Sequence, residues 1–191
     1  MIAKINIEDI SFTTYLSLKD KSKYDYCIRY ADKLKEPLDI FEIGDFIEQP
    51  FGLVKDLQEL LNHSGMTWQS YFDTLLKHGI IKSYAQAGAM SLFTLQRSRV
   101  YIKTSIETIN KLESDGLGHT PSPDEEIAGI DRFNKYRSFY QLDKLAGGDV
   151  TKYEAVRKEP YGNCFTKLML ESDKAAYDIE LNKVRKRRNN Q

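Results

Sequence analysis

Gln141–Leu170, QLDKLAGGDVTKYEAVRKEPYGNCFTKLML, carries the densest local punctuation in the chain. A helical stripe arriving through Leu145 stops at Gly147-Gly148, residues that enter the left-handed region without a Cβ penalty. Thr151 and Glu154 then have the Ser/Thr-x-x-Glu spacing of a capping box, which predicts a two-turn helix over Lys152 to Lys158. Pro160 breaks that helix. A last helix from about Asn163 carries Phe165, Leu168, Met169, Ala176 and Ile179, and frays into KVRKRRNNQ. Glycines here invite a search for a ligand loop. Neither Gly116-Leu117-Gly118 nor Gly147-Gly148 has the P-loop or dinucleotide framework. Gly147, Gly148, Thr151, Glu154 and Pro160 therefore read as structural punctuation that folds the last helix back on the preceding one.

Upstream, Ser122-Pro123-Asp124-Glu125 supplies an N-cap, a proline at N1 and a glutamate at N3. The helix it starts is expected to run through Ile127, Ile130, Phe133, Tyr136, Arg137, Tyr140 and Leu145. Gly116 to Pro123, GLGHTPSP, is the clearest linker. Before it, Leu92, Leu95, Ile102, Ile106, Ile109 and Leu112 recur near a 3-4 spacing in a proline-free stretch. That spacing predicts one long helix over about residues 90 to 114. It is long enough to need cover, either from the same chain or from a neighbouring subunit.

Residues 1 to 82 read as a compact bundle of short amphipathic helices. A helix over about Lys21 to Lys35 stops at Pro37, and residues 38 to 48 read as a short helix plus a turn. Pro50 is expected at N1 of a helix carrying Phe51, Val54, Leu57, Leu60 and Leu61. Thr67 is a natural N-cap for Trp68 to His78, with Gly79 as its C-cap. Met1 to Ile10 reads as an extended segment or short strand, open to pairing with another copy or another protein. The expected fold is mainly α, a multi-helix bundle with one long central helix. Its organisation is a bundle at 1–82, the long helix at 83–115, a linker at 116–123 and a helical segment at 124–191 with a basic tail.

Composition bounds the function. Among 191 residues, 41% are apolar and 29% charged, the balance of a packed soluble domain. Lysine plus arginine equals aspartate plus glutamate at 28 each, so no global field recruits nucleic acid or anionic membrane. No apolar run reaches the roughly 20 residues that span a bilayer, and Met1–Ile10 lacks the pattern of a secretory signal. These features predict an intracellular protein. Cys27 and Cys164 are far apart and read as small buried residues rather than a disulfide. His63, His78 and His119 have no partners at metal-ligand spacing, and the serines lack a nucleophile-elbow pattern. The sequence therefore predicts a non-enzymatic protein with no metal and no cofactor.

Lys183, Arg185, Lys186, Arg187 and Arg188 form a basic C-terminal run. Two readings stand beside each other. Cations at a helix C-terminus favour its dipole, and the same cations fit nucleic acid or an acidic partner surface. Tyr136 to Val156 has a helix-turn-helix rhythm, but its second helix is short for recognition and carries Glu154. The twelve tyrosines lean mildly towards partners.

Three stretches carry a family resemblance: INIEDISFTTYLSL, DIFEIGDFIEQPFGLVKDLQELLN and LAGGDVTKYEAVRKEPYGNCFTKLMLESDKAAYDIEL. Together they resemble small helical proteins of the structural modules of tailed bacteriophages, including neck, ring and tail components and tail-assembly chaperones. The resemblance touches residues 5 to 62 and 139 to 181. It implies a structural protein of a phage virion, of the head-tail connector or tail, made in the host cytoplasm. Its partners would be other virion proteins and copies of itself in a ring. An assembly chaperone, or a small nucleic-acid-binding regulator using the basic tail, are the alternative expectations.

Overall fold

A computed structural model of the chain describes residues 10–22, 39, 41–62, 67–118 and 121–189. Outside the described residues lie the expected N-terminal segment up to residue 9, most of the helix expected over Lys21 to Lys35, His63 and His119. The protein is mainly helical, with no strand among the described residues. The chain divides into two compact units. One comprises Met1–Phe46 and Asp56–Thr108, the other Ile47–Lys55 and Ile109–Gln191. Two helices, α2 (Phe51–Asn62) and α5 (Leu92–Leu117), contribute residues to both.

In the first unit, α1 (Phe12–Ser17), α3 (Trp68–Lys77) and α4 (Tyr84–Ala89) accompany their portions of α2 and α5. Ser11 caps α1 by accepting the Thr14 N–H at 3.2 Å, and Thr67 caps α3 in a capping box with Ser70. Phe12, Leu57, Tyr71, Phe72, Leu75, Leu92, Leu95 and Ile102 fill the core. The Phe12 ring lies 4.9 Å from Trp68 and meets Phe72 edge-on at 5.3 Å. Tyr71 is fully buried with its hydroxyl 3.3 Å from Ser98 Oγ, and burial holds it protonated well above the usual phenol range.

One device recurs in both units. A helix start leaves its first N–H groups without intrahelical partners, and here two starts satisfy each other. In the first unit the Phe12 N–H donates to Met90 O at 2.8 Å, and the Leu92 N–H donates to Ile10 O at 2.9 Å. Ser11 and Ser91 thus form an antiparallel bridge immediately ahead of α1 and α5. In the second unit the Phe51 N–H donates to Glu159 O, and the Tyr161 N–H donates to Gln49 O, both at 2.8 Å. The bridge is Pro50 with Pro160, ahead of α2 and α9 (Tyr161–Asn189). Proline suits this position because its missing N–H is not needed there.

The sequence around the second bridge is duplicated: Gln49-Pro50-Phe51-Gly52 faces Glu159-Pro160-Tyr161-Gly162. Phe51 and Tyr161 stack at 6.2 Å with planes 12° apart. Gly162 donates its N–H to Ile47 O at 2.8 Å. Lys55, one turn on from Phe51, lies 5.5 Å from the Phe51 ring centroid and 5.8 Å from that of Tyr161. Its ammonium pairs with the Glu113 carboxylate, which also accepts the Tyr161 hydroxyl at 2.7 Å. Burial, then the Glu113 charge, raises the Tyr161 phenol far above its ordinary range. These groups bond to one another, so the cluster is a clamp on the second unit.

Several expected boundaries change for local physical reasons. Pro50 sits at the N-cap rather than N1 of α2, since its carbonyl already accepts the Val54 N–H at 3.2 Å. Residues 41–49 hold turns instead of a short helix, because Asp39 accepts the amides of Ile43 and Gly44 at 2.9 and 2.6 Å. Helix α5 runs 26 residues, to Leu117, through the glycine expected to end it. Gly116 instead permits close approach, since a Cβ there would lie 3.0 Å from Phe165 Cζ of α9. The last helix starts at Tyr161, two residues earlier than expected.

The helix expected from residue 124 to 145 is three pieces: α6 (Pro123–Ile127), a 3-10 helix (Ile130–Tyr136) and α7 (Ser138–Ala146). Gly129 at φ +76° and Arg137 at φ +47° separate them. Beyond α7, Gly147 and Gly148 hold φ +67° and +75°. Thr151 is no helix cap. Its N–H and hydroxyl both donate to Asp149 Oδ1, at 3.0 and 2.7 Å, so Asp149 caps a short 3-10 turn before α8 (Tyr153–Lys158). Gly148→Val puts a β-branched side chain at a left-handed φ. It should cost about 1–2 kcal/mol, read as a lowered midpoint in urea denaturation, and should abolish no chemistry.

Candidate protein-interaction surfaces

The segment 122–153 of the second unit holds six of the fourteen large apolar side chains exposed among the described residues. Ser122 starts it with a true capping box: its Oγ accepts the Glu125 N–H at 3.3 Å, and Glu125 Oε2 accepts the Ser122 N–H at 2.8 Å. The first turn of α6 carries Asp124, Glu125 and Glu126, which complement the helix dipole. Arg132 donates to the carbonyls of Ala128 and Gly129 and so secures the turn that ends α6. These local bonds set the aromatic 3-10 segment facing outward rather than inward.

The helix expected from Ser122-Pro123 runs through Ile127, Phe133, Tyr136 and Tyr140. The structure places them outside: Ile127 is 85% exposed, and Phe133, Tyr136, Phe139 and Tyr140 lie between 44% and 48%. Val150 adds to the same unit's exposed apolar residues. Phe133 and Tyr140 rings lie 5.4 Å apart, and Phe139 meets Tyr153 edge-on at 5.3 Å. Beside Phe133 and Tyr140 opens a cavity of about 550 Å³, lined by Ile130, Phe133, Asn134, Arg137, Tyr140 and Gln141. The Gln141 Oε1 is buried without a hydrogen-bond partner. Aromatic side chains and arginine are residue types enriched at protein interfaces. Large exposed apolar patches of this kind mark interaction sites.

Lys183, Arg185, Lys186, Arg187 and Arg188 all lie exposed on the final turns of α9. The last turn holds Lys186, Arg187 and Arg188, where cations offset the helix dipole. Within the same helix Lys183 pairs with Glu180 at 2.7 Å. The five residues singled out as punctuation occupy one connected segment: Gly147 and Gly148 after α7, Thr151 in the 3-10 turn, Glu154 in α8 and Pro160 before α9.

Cys164 is a free, buried thiol on α9. Burial, then the charge of Glu159, pushes it up to about 11. Folding therefore favours the neutral thiol. Its contribution to stability is complete below the unfolded thiol pKa and declines as pH rises from there through about 11. At pH 8 the Cys164 peptide should resist alkylation in the native protein and react readily in urea, measured by mass spectrometry. Rapid native labelling would contradict the placement.

His78 Nε2 lies 2.7 Å from Asp56 Oδ2, and Lys77 Nζ reaches the same oxygen at 2.6 Å. No helix of the described residues is long and apolar enough to cross a membrane. Comparison with protein-family models, curated proteins and solved structures finds no match.

Proposed function

We propose that this chain is a non-enzymatic structural protein of a tailed-phage virion, at the head-tail connector, in a ring or in the tail. It acts by packing against other virion proteins and copies of itself. The observation that carries the interaction role is the outward aromatic surface of Ile127, Phe133, Tyr136, Phe139 and Tyr140. The phage assignment rests on the resemblance of residues 5 to 62 and 139 to 181. A cytoplasmic tail-assembly chaperone would use the same surface and leave the finished particle. A nucleic-acid regulator would rely on the basic run, and its binding to duplex DNA would vanish on deleting residues 183 to 191.

The test is quantitative mass spectrometry of purified particles, alongside the double variant Ile127→Lys, Tyr136→Glu. Both side chains are exposed, so stability should change by no more than about 0.5 kcal/mol at each site. Incorporation into particles should fall at least about tenfold, the loss expected when central contact residues are removed. Normal incorporation of a well-folded variant overturns the assignment of this surface.

A further inference from the structure

The C-terminal half of α9 carries a second apolar stripe, on the side of the helix opposite the buried one. Tyr161, Cys164 and Leu168 face the core of the second unit. At 3.6 residues per turn, Leu170, Tyr177, Leu181 and Val184 fall on the far side. Their successive spacings of seven, four and three are those of heptad d and a positions. Leu170, Tyr177 and Val184 are 48%, 65% and 47% exposed. From Asp173 to Asn189 every residue but Leu181 is exposed.

Charge along this segment is divided by sign. Residues 171–180 hold Glu171, Asp173, Asp178 and Glu180 against the single cation Lys174. Residues 181–189 hold Lys183, Arg185, Lys186, Arg187 and Arg188 with no carboxylate. Such a helix complements itself only when turned end for end.

We propose that this stripe pairs with the same stripe of a second copy of the chain, the two α9 helices running antiparallel about a two-fold axis near residue 179. Tyr177 of each copy then packs against Leu181 of the other, the centre of an isologous contact. Val184 covers the alkyl stem of Lys174, and Leu170 that of Arg188, with their charges free to reach water. In the flanking e and g positions Glu171 faces Arg185 and Asp173 faces Arg187, each pair occurring twice. Parallel pairing lays two runs of five cations side by side and loses all four of these pairs. Near the axis Asp178 and Glu180 meet their own counterparts. Lys183 offsets the Glu180 charge within its helix at 2.7 Å. The pairing is independent of whether the chain enters a virion.

Sedimentation equilibrium of the full chain over a range on the order of 1 to 100 μM tests this. A concentration-dependent dimer is expected. Arg185→Glu with Arg187→Glu should weaken it at least about tenfold, as four attractive pairs become repulsive. Adding Glu171→Arg and Asp173→Arg to that variant should restore dimerisation. Asp173, Arg185 and Arg187 are exposed and Glu171 is half-buried, paired with Lys167 and Lys174 in its own helix, and unchanged circular dichroism confirms that each variant folds. A wild-type monomer throughout the range overturns the pairing, including one that changes mass only on adding duplex DNA. So does a dimer indifferent to the double reversal, or a fourfold swap that fails to recover it.

Discussion

Glu113→Ala is expected to destabilise the protein by about 3 to 5 kcal/mol, the cost of leaving one member of a buried ion pair without its partner. The Lys55 side chain is only 6% exposed, and Glu113 is 18% exposed. Removing the carboxylate takes the counter-ion from an ammonium beside the Phe51 and Tyr161 rings and the acceptor from the Tyr161 hydroxyl. The rings offer cation–π attraction, but on the order of 1–2 kcal/mol, too little to offset the lost charge. Replacing both members, Lys55→Met with Glu113→Leu, should recover most of the loss, because no buried charge then remains. Urea denaturation of the two variants measures both effects. A single variant within about 1 kcal/mol of the parent would show that the pair is solvated rather than buried.

Gly162→Ala carries the second large effect. A Cβ at this position would lie 2.6 Å from Ile47 Cγ2 and 3.4 Å from the Ile47 carbonyl. That same carbonyl accepts the Gly162 N–H, so relieving the clash pulls apart a bond of the paired helix starts. Overpacking of this kind costs about 1–3 kcal/mol. Gly52→Ala, at the matching place in the other turn, meets Arg157 side-chain nitrogens and the Arg157 carbonyl at 3.1 Å. These contacts are looser than the 2.6 Å approach at Gly162, and the guanidinium can swing away, so the smaller loss belongs to Gly52. Equal losses from the two variants would contradict the close approach at Ile47.

The helical class was legible because amphipathic spacing and local caps act within a few residues. Thr67 caps Trp68–Lys77 and Ser122 starts Pro123–Ile127, each through side chains adjacent in sequence. The long helix was equally legible, from apolar spacing without proline, and its extension past Gly116 was not. Gly116 is set by Phe165 and Met169, which lie far along the chain. For the same reason Gly129 and Arg137 were invisible as breaks: Arg137 at φ +47° is a conformation that no local propensity favours.

Of the interaction surface, the residues were visible and their direction was not. A 3-4 spacing of Ile127, Ile130, Phe133, Tyr136 and Tyr140 looks the same whether a stripe faces the core or water. The missed signal with the clearest sequence mark is the duplicated Pro-aromatic-Gly, Gln49 to Gly52 and Glu159 to Gly162. Read as helix punctuation, Pro160 explains one break. Read as a pair, the two turns explain why both helices begin where they do.

On the proposal that the chain is a tailed-phage virion protein, purified phage particles offer the most direct measurement of its role. Quantitative mass spectrometry should find the protein at a stoichiometric level, and the Ile127→Lys, Tyr136→Glu variant depleted at least about tenfold while still folded. Absence of the parent chain from finished particles would contradict a virion role, and full incorporation of the variant would contradict the aromatic surface as the means.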